Sequence, residues 1–233
     1  MQIKFLGTGG AFDYESGNSA AWISFMGKNI LLDCGNSVYR RLRETGLANK
    51  IDYIMITHCH DDHVGSLASI ILHHSYFIHP ARKANILVPS KEFEHHLREF
   101  IRFAIPDVDK YVTFTHFSEF PGIECIDTYG LHVKNMQSYG FIFESDSDLL
   151  VYSGDVGDPD VIFDALEKKL PSSKKIRVFH EMCFDQNDGV HVYYKHLFSR
   201  LKDYEIFGYH FDTREIPSDN IIPPVAYFPD LLC

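Results

Sequence analysis

The sequence predicts an α/β fold in which two sheets pack face to face with helices on the outside. A chain of 233 residues suits one domain with a substantial core. A β-hairpin followed by a helical pattern occurs twice along it, and the densest cluster of histidines and aspartates comes directly after a buried strand. We therefore expect residues 1–233 to form a single domain with the layer order αββα.

The two hairpin–helix units lie in different halves of the chain. Gly27 supplies the turn chemistry of the first hairpin, and an Asp/Ser cluster supplies that of the second. The strand, turn, strand and helix ranges are 20–25, 26–29, 30–33 and 36–44 in the first unit, and 139–144, 146–148, 149–155 and 159–169 in the second. Two similar units of this kind indicate two sheets, each covered by helices.

The other elements follow from hydrophobic periodicity and from turn residues. Strands are predicted at 51–56, 85–88, 112–115, 122–126, 175–179 and 205–210, and helices at 62–73, 91–103 and 192–201. Beyond His210, four prolines interrupt any regular element. We expect this tail to wrap the surface.

The segment 57–63, with the sequence THCHDDH, follows the predicted strand 51–56. His58 and His60 are two residues apart, so in extended backbone they project to the same side, and one metal ion can take both. Asp62 and His63 fall where a helix can begin, and a chain that turns there aims them at a second ion. Imidazole and carboxylate together suit zinc or a similar divalent ion.

Three further candidate ligands lie far away in sequence, and we expect each at the end of another strand. Asp155 ends the apolar segment 149–155, His132 lies within 129–133, and His210 ends 205–210. Polar groups at the ends of several strands are typical of α/β active sites.

With these motifs, the chain resembles the metallo-β-lactamase-fold hydrolases, and within them the branch of ribonuclease Z and related phosphodiesterases. The motifs occur in the family's order and span nearly the whole chain. They are Leu31–Gly35, His58-x-His60-x-Asp62-His63, His132 followed by Ser138–Phe141, Tyr152–Asp155, His180–Phe184 and Tyr209–Phe211. The resemblance implies a four-layer αββα sandwich of the metallo-β-lactamase type.

The resemblance also implies two divalent metal ions per chain, with zinc favoured and manganese or iron as alternatives. Asp155 would bridge the two ions. The remaining ligands would be His58, His60 and His132 for one ion, and Asp62, His63 and His210 for the other. Asp33 is interpreted as a residue that hydrogen-bonds a ligand histidine and selects its tautomer, the alternative being a plain turn aspartate.

In such a site, two ions activate a shared water as a bridging hydroxide, and Asp62 can accept its proton. The resemblance places the acid that protonates the leaving group at His191, with Glu181 as its orienting partner. A surface histidine is the alternative for His191, and a strand-end cap is the alternative for Glu181.

Charge and chain layout favour a small substrate over RNA. The formal net charge is −10, and the chain has no long basic insertion of the kind with which ribonuclease Z holds transfer RNA. We expect a metal-dependent phosphodiesterase acting on a small ester such as a cyclic nucleotide. The alternatives are a lactone or carboxylic ester hydrolase on the same metal core, a ribonuclease Z-like RNA endonuclease and a metal-binding sensor. A phosphodiesterase needs donors for the phosphoryl oxygens, with Ser16, Asn18, Ser19 and Ser138 as candidates.

The remaining expectations concern the cysteines, the surroundings and the other histidines. Five cysteines without framework spacing indicate reduced thiols in the cytoplasm, and alternation turns Cys59 away from the metal. The sequence contains no apolar stretch of about 18 residues, so no membrane-spanning helix is predicted. A homodimer is left open. Six histidines are expected on the surface or in the core rather than at the site: His73, His74, His79, His95, His96 and His116.

Overall fold

The fold, taken from a computed structural model that describes residues 1–80, 82–170 and 173–233, contains two sheets flanked by helices. The strands are β1 (Gln2–Gly7), β2 (Ala20–Phe25), β3 (Lys28–Leu32), β4 (Tyr53–Met55), β5 (Ala84–Val88), β6 (Val112–His116), β7 (Ile123–Asp127), β8 (Tyr139–Glu144), β9 (Asp148–Tyr152), β10 (Lys175–Glu181) and β11 (Glu205–Tyr209). The α-helices are α1 (Val38–Glu44), α2 (Asp61–Val64), α3 (Leu67–His73), α4 (Lys91–Arg102), α5 (Val108–Tyr111) and α6 (Asp160–Glu167). The predicted αββα class is confirmed.

Shorter helical turns connect these elements. A π-helical turn continues α3 over His74–Ile78. The 3₁₀ turns are Leu47–Lys50, Phe117–Glu119, Tyr194–Arg200, Thr213–Glu215, Val225–Tyr227 and Pro229–Leu231. In the described part of the chain, no helix is long and apolar enough to cross a membrane.

Each sheet combines a hairpin with parallel strands. The first sheet has the order β1-β2-β3-β4-β5-β6, with β1 to β3 antiparallel and β3 to β6 parallel. The second has the order β11-β10-β9-β8-β7, with β7 to β9 antiparallel and β9 to β11 parallel. The carboxyl ends of parallel strands share one edge of a sheet, so loops from several strands can meet there.

Aromatic rings fill the layer between the two sheets. The ring of Phe5 in β1 lies 6.2 Å from Tyr152, 5.4 Å from Phe179 and 5.7 Å from Tyr209, all on the second sheet. All four side chains are fully buried. Large rings bury much apolar surface, so this layer fixes the position of the two sheets relative to each other, and with it the position of the loops at their edges.

The outer faces are covered by amphipathic helices. Helix α4 begins at Ser90, whose hydroxyl accepts a hydrogen bond from the Phe93 N–H at 3.1 Å. Phe93, Leu97 and Ile101 recur at four-residue spacing and are buried against the first sheet. Helix α6 covers the second sheet in the same way through Ile162, Phe163 and Leu166.

The predicted elements differ from the structure at several places. The helix predicted over 62–73 is interrupted between α2 and α3, where the Ser66 N–H donates to the Cys34 carbonyl at 2.8 Å and the Ser66 hydroxyl donates to the Gly35 carbonyl at 2.7 Å. The segment 192–201 forms a 3₁₀ turn rather than an α-helix. Strand β1 and the short helix α5 were not predicted, although the first four residues of β1 alternate between more exposed and buried positions. The tail packs on β1, where the Cys233 N–H donates to the Phe5 carbonyl at 2.9 Å.

Candidate metal centre and active site

Loops at the carboxyl ends of β4, β9 and β11 meet at one edge of the sandwich and carry most of the candidate site. The loop after β4 supplies residues 57–63, the loop after β9 supplies Asp155, and His210 follows β11 directly. His132 was predicted at a strand end, but it lies in the loop between β7 and β8. That loop reaches the site because the His132 Nδ1–H donates to the Val190 carbonyl at 2.9 Å.

One group of possible metal ligands consists of His58, His60 and His132. His60 Nδ1 lies 2.9 Å from His58 Nε2 and 3.0 Å from His132 Nε2. His58 is fully buried, and His132 is only 6% exposed. The three ring nitrogens therefore converge on one point.

A second group consists of Asp62, His63, Asp155 and His210, all buried. Asp62 Oδ2 lies 3.3 Å from His63 Nε2 and 3.2 Å from His210 Nε2. Asp155 Oδ2 lies 3.3 Å and 3.4 Å from the same two nitrogens. These spacings match the edge of a tetrahedron, about 3.3 Å, around an ion with bonds of about 2.0–2.1 Å.

Asp155 stands between the two groups. Its Oδ2, besides its short contacts to the second group, lies 3.9 Å from His58 Nε2 and 3.8 Å from His132 Nε2. Its Oδ1 is buried and has no hydrogen-bond partner among the described residues. A buried carboxylate oxygen without a partner is costly unless a cation satisfies it. The residues present therefore fit a pair of divalent ions, and the identity of the metal is open.

Hydrogen bonds behind the ligands select the histidine tautomers. His63 Nδ1 donates to Asp33 Oδ2 at 2.9 Å. The Thr57 hydroxyl lies 2.9 Å from the same carboxylate oxygen and 3.0 Å from His58 Nδ1. Because the carboxylate can only accept, the hydroxyl proton points to Asp33, and His58 Nδ1 must donate to the hydroxyl. In His58, His63 and His132 alike, Nε2 then carries the lone pair that a metal needs.

Two of these residues hold a backbone conformation that is rare outside glycine. Asp33 has a φ of 63° and His210 a φ of 72°, both in the left-handed region. Each comes directly after a strand, so this local turn directs its side chain across the sheet edge. Such backbone strain clusters at functional sites.

The electrostatics favour ionised carboxylates, a neutral His58 and a positive charge at His63. Burial lowers the pKa of His58 well below its ordinary value. Burial acts to raise the pKa of Asp155, but His210 and His63 hold it well below its ordinary value. The pKa of His63 is raised well above its usual range because Asp155 and Asp33 overcome the effect of burial. The carboxylates thus favour positive charge at this position, which a proton or a metal ion can supply.

Glu181 and His191 form a pair beside the two groups. His191 Nδ1 lies 3.1 Å from Glu181 Oε2 and 3.9 Å from Asp155 Oδ2. The other Glu181 oxygen accepts the N–H of Val156 and of Val192, so this buried carboxylate is held on both sides. Burial acts to lower the pKa of His191, but the hydrogen bond to Glu181 raises it to about 9. Glu181 therefore favours the protonated, positively charged form of His191.

A cavity of about 360 Å³ opens over both groups and is lined in part by Phe12, Val133 and His191. The four candidate phosphate donors are not part of its lining. Ser19 donates to the Gly9 carbonyl, Ser138 donates to the Thr128 carbonyl, and the Asn18 side chain accepts from the Ser37 N–H. Their polar groups serve the loop structure, so the expectation that they face the substrate is wrong for these three, while Ser16 lines a separate surface depression.

Sequence reasoning also missed two residues that the structure places at the site. Thr57 links His58 to Asp33, and its position next to the histidine motif was the available signal. Phe12 lines the cavity from the loop after β1, although nothing in its sequence context distinguishes it from a core aromatic. Cys59 packs against the core, as alternation predicted, and burial raises the pKa of its thiol to about 11.

Solved structures with the same fold cover almost the whole chain. The short form of human tRNase Z aligns with a TM-score of 0.67 at 21% identity, covering 95% of this chain and 98% of that one. The metallo-β-lactamase-fold protein YhfI from Bacillus subtilis aligns with a TM-score of 0.68 at 15% identity, covering 92% of this chain and 88% of that one. The resemblance to the metallo-β-lactamase fold is therefore confirmed.

Sequence comparison identifies the family more narrowly than the shared fold does. A protein from Bacillus phage BSP38, named anti-Pycsar protein Apyc1, is 32% identical over 216 residues, covering 82% of this chain and 80% of the relative. The model of the family described as anti-Pycsar protein Apyc1 matches residues 1–219. The predicted enzymatic character is confirmed as hydrolytic. The chain, a hydrolase with a cluster of histidines and aspartates able to bind metal, belongs to the anti-Pycsar protein Apyc1 family.

Proposed function

We propose that this enzyme is a metal-dependent phosphodiesterase that opens the ring of a cyclic nucleotide. The observation that carries the proposal is the position of Asp155 Oδ2, within 3.3–3.9 Å of ring nitrogens from both ligand groups. Asp155 could therefore contribute a ligand to each of two ions. Membership of a family that degrades cyclic nucleotides supports the choice of substrate class.

In the proposed ligand assignment, one ion would be held by His58, His60 and His132 and the other by Asp62, His63 and His210, with Asp155 available to both. When bound, the ions supply an activated water and neutralise the phosphoryl oxygens. Asp62 would be the base in this proposal, because its oxygen that does not face His63 and His210 could accept a proton from water. Asp33 positions His63 through the hydrogen bond to its Nδ1.

His191 is the proposed acid. Attack of the water oxygen on phosphorus breaks the bond to one ribose oxygen, which leaves as an alkoxide of high pKa unless it is protonated. His191 holds its Nδ1 against Glu181, which leaves Nε2 as the donor to that oxygen. Glu181 acts as a positioning residue, since it stabilises the charged imidazole without touching the substrate.

Charge around the cavity favours a small diester over RNA. Asp185, Asp188 and Glu215 line the cleft that continues from the cavity, and they would repel the successive phosphates of a polynucleotide. Long-RNA binding draws on many phosphate contacts and a basic surface. The described residues between β9 and β10 form helix α6 and short connections rather than a basic arm.

The test is a substrate panel with protein reconstituted with zinc or manganese. The panel contains cyclic CMP, cyclic AMP, a generic aryl phosphodiester, a lactone and a precursor transfer RNA. We expect about two ions per chain and efficient conversion of the cyclic nucleotides to linear monophosphates, both lost in Asp155→Ala. Turnover confined to the lactone, or salt-sensitive trimming of the transfer RNA without turnover of small diesters, would refute the proposal.

A further inference from the structure

A second cavity of about 660 Å³ lies beside the one over the ligand groups. The two cavities share Ala11, Phe12, His191 and His210, so they form one continuous depression. Three loops build the second cavity, after β1, β10 and β11. Ligand pockets commonly measure about 300–1,000 Å³, so the pair has room for a substrate with a part that extends beyond its phosphate.

One wall of the second cavity is a fixed aromatic ring. The ring of Phe184 packs against Tyr194 at 5.4 Å and against Phe211 at 5.0 Å, both with edge-to-face geometry. Phe184 is half-buried and lines the cavity. A ring held by two others loses little conformational entropy when a flat ligand packs against it.

The boundary between the cavities carries an exposed aromatic ring. Phe12 is 88% exposed and lines both cavities. An exposed large apolar side chain at the mouth of a site indicates a surface that a ligand covers. Tyr14, two residues further along the same loop, is 87% exposed but lines neither of these cavities.

The charge of the second cavity restricts what it can hold. Asp185, Asp188, Asp212 and Glu215 line it. Of these four carboxylates Asp212 pairs with Arg214, whose other partner is Glu15, outside the cavity lining. A second phosphate would meet these carboxylates at close range. An uncharged heterocycle avoids this repulsion, and its ring N–H and amino groups can donate to carboxylate oxygens.

We infer that the second cavity is a nucleobase subsite, in which the base packs against Phe184 and is covered by Phe12 while the cyclic phosphate lies over the ligand groups. This inference rests on the proposed function and adds the residues that bind the part of the substrate where no bond breaks. Stacking of this kind tolerates any base, because every base has a π-face.

The experiment compares a cyclic nucleotide with the same ring lacking its base. The substrates are cyclic CMP and the 3′,5′-cyclic phosphate of 1-O-methylribose, and the variants are Phe12→Ala, Phe184→Leu and, as a matched control, Tyr14→Ala. We expect kcat/KM for cyclic CMP to fall about 5- to 150-fold in the first two variants, which corresponds to stacking of about 1–3 kcal/mol per base. The value for the baseless substrate should stay within about twofold, and Tyr14→Ala should change neither.

Phe12 is exposed, so removing its ring leaves the fold intact. A loss of activity in Phe12→Ala therefore reports on substrate binding rather than on misfolding. Equal losses on both substrates, or no loss on cyclic CMP in Phe12→Ala, would overturn the subsite while leaving the phosphodiesterase proposal standing. Wild-type protein that turns over neither substrate would instead refute the proposed function, and the subsite with it.

Discussion

Replacing Thr57 by Val tests whether a single buried hydroxyl prepares the first group of ligands. Thr57 Oγ1 lies 3.0 Å from His58 Nδ1, and 3.1 and 2.9 Å from the two oxygens of Asp33. Valine keeps the shape and the β-branch but leaves the His58 Nδ1–H without its acceptor. His63 keeps its own hydrogen bond to Asp33, so the second group should be much less affected.

The expected magnitude follows from the position of the hydroxyl. Loss of a group that orients a ligand histidine costs about 10- to 100-fold in metal affinity, or about 1.4–2.7 kcal/mol. The effect should fall mainly on one of the two ions, because His58 belongs to the first group. Thr57 Oγ1 also lies 3.4 Å from His63 Nδ1, but that nitrogen keeps its shorter hydrogen bond to Asp33. The fold should also lose about 1–3 kcal/mol, since Thr57 is fully buried and Asp33 loses a donor.

Calorimetric zinc titration of metal-stripped protein resolves the two sites. We expect wild-type protein and Thr57→Ser to show two tight binding events, and Thr57→Val to show one tight and one weakened event. The serine variant controls for the change of side chain because it retains the hydroxyl. Identical isotherms for the valine and serine variants would refute the assignment of Thr57.

Three further predictions test the bridge, the acid and a buried histidine. Asp155→Ala should lower the metal content of the protein and abolish hydrolysis. His79→Ala, at a half-buried position outside both ligand groups, should change neither. Retained activity in both variants would refute the ligand assignment. His191→Ala should slow esters with poor leaving groups far more than activated aryl esters, and a uniform loss would indicate a structural role. Burial lowers the pKa of His180 to about 4, below its ordinary 6.5, so its contribution to stability is complete above pH 6.5 and is lost as the pH falls towards 4. Between pH 7.5 and 5.5 this loss is about 1 kcal/mol, and His180→Asn should remove it in urea unfolding of metal-stripped protein. Equal pH dependence of the two proteins would contradict this.

The layer order and the main motif could be predicted because both are local patterns. A hairpin that ends in a short polar loop has a clear signature, and so does THCHDDH after an apolar strand. The meeting of Asp155 and His210 with that motif could be anticipated from topology, because the ends of parallel strands gather at one edge.

Other features depend on tertiary contacts that leave no local signal. The loop of His132 reaches the site through the Val190 carbonyl, 58 residues further along the chain. Helix α3 is separated from α2 at Ser66, whose N–H donates to the Cys34 carbonyl of another loop instead of continuing the helix. The role of Thr57 depends on Asp33, which lies 24 residues away. In each case a contact partner elsewhere in the chain, rather than the type of the residue itself, determines the local structure.

Both ligand groups draw side chains from both sheets, and this gives bound metal a mechanical role. His58, His60 and His63 follow β4 of the first sheet, while His132, Asp155 and His210 come from loops of the second. Each ion would therefore act as a cross-link between the two sheets, and this cross-link would exist only while the ion is bound. The free energy of unfolding would then rise with the free metal concentration. Chelation would weaken the packing between the two sheets before it affects either sheet alone.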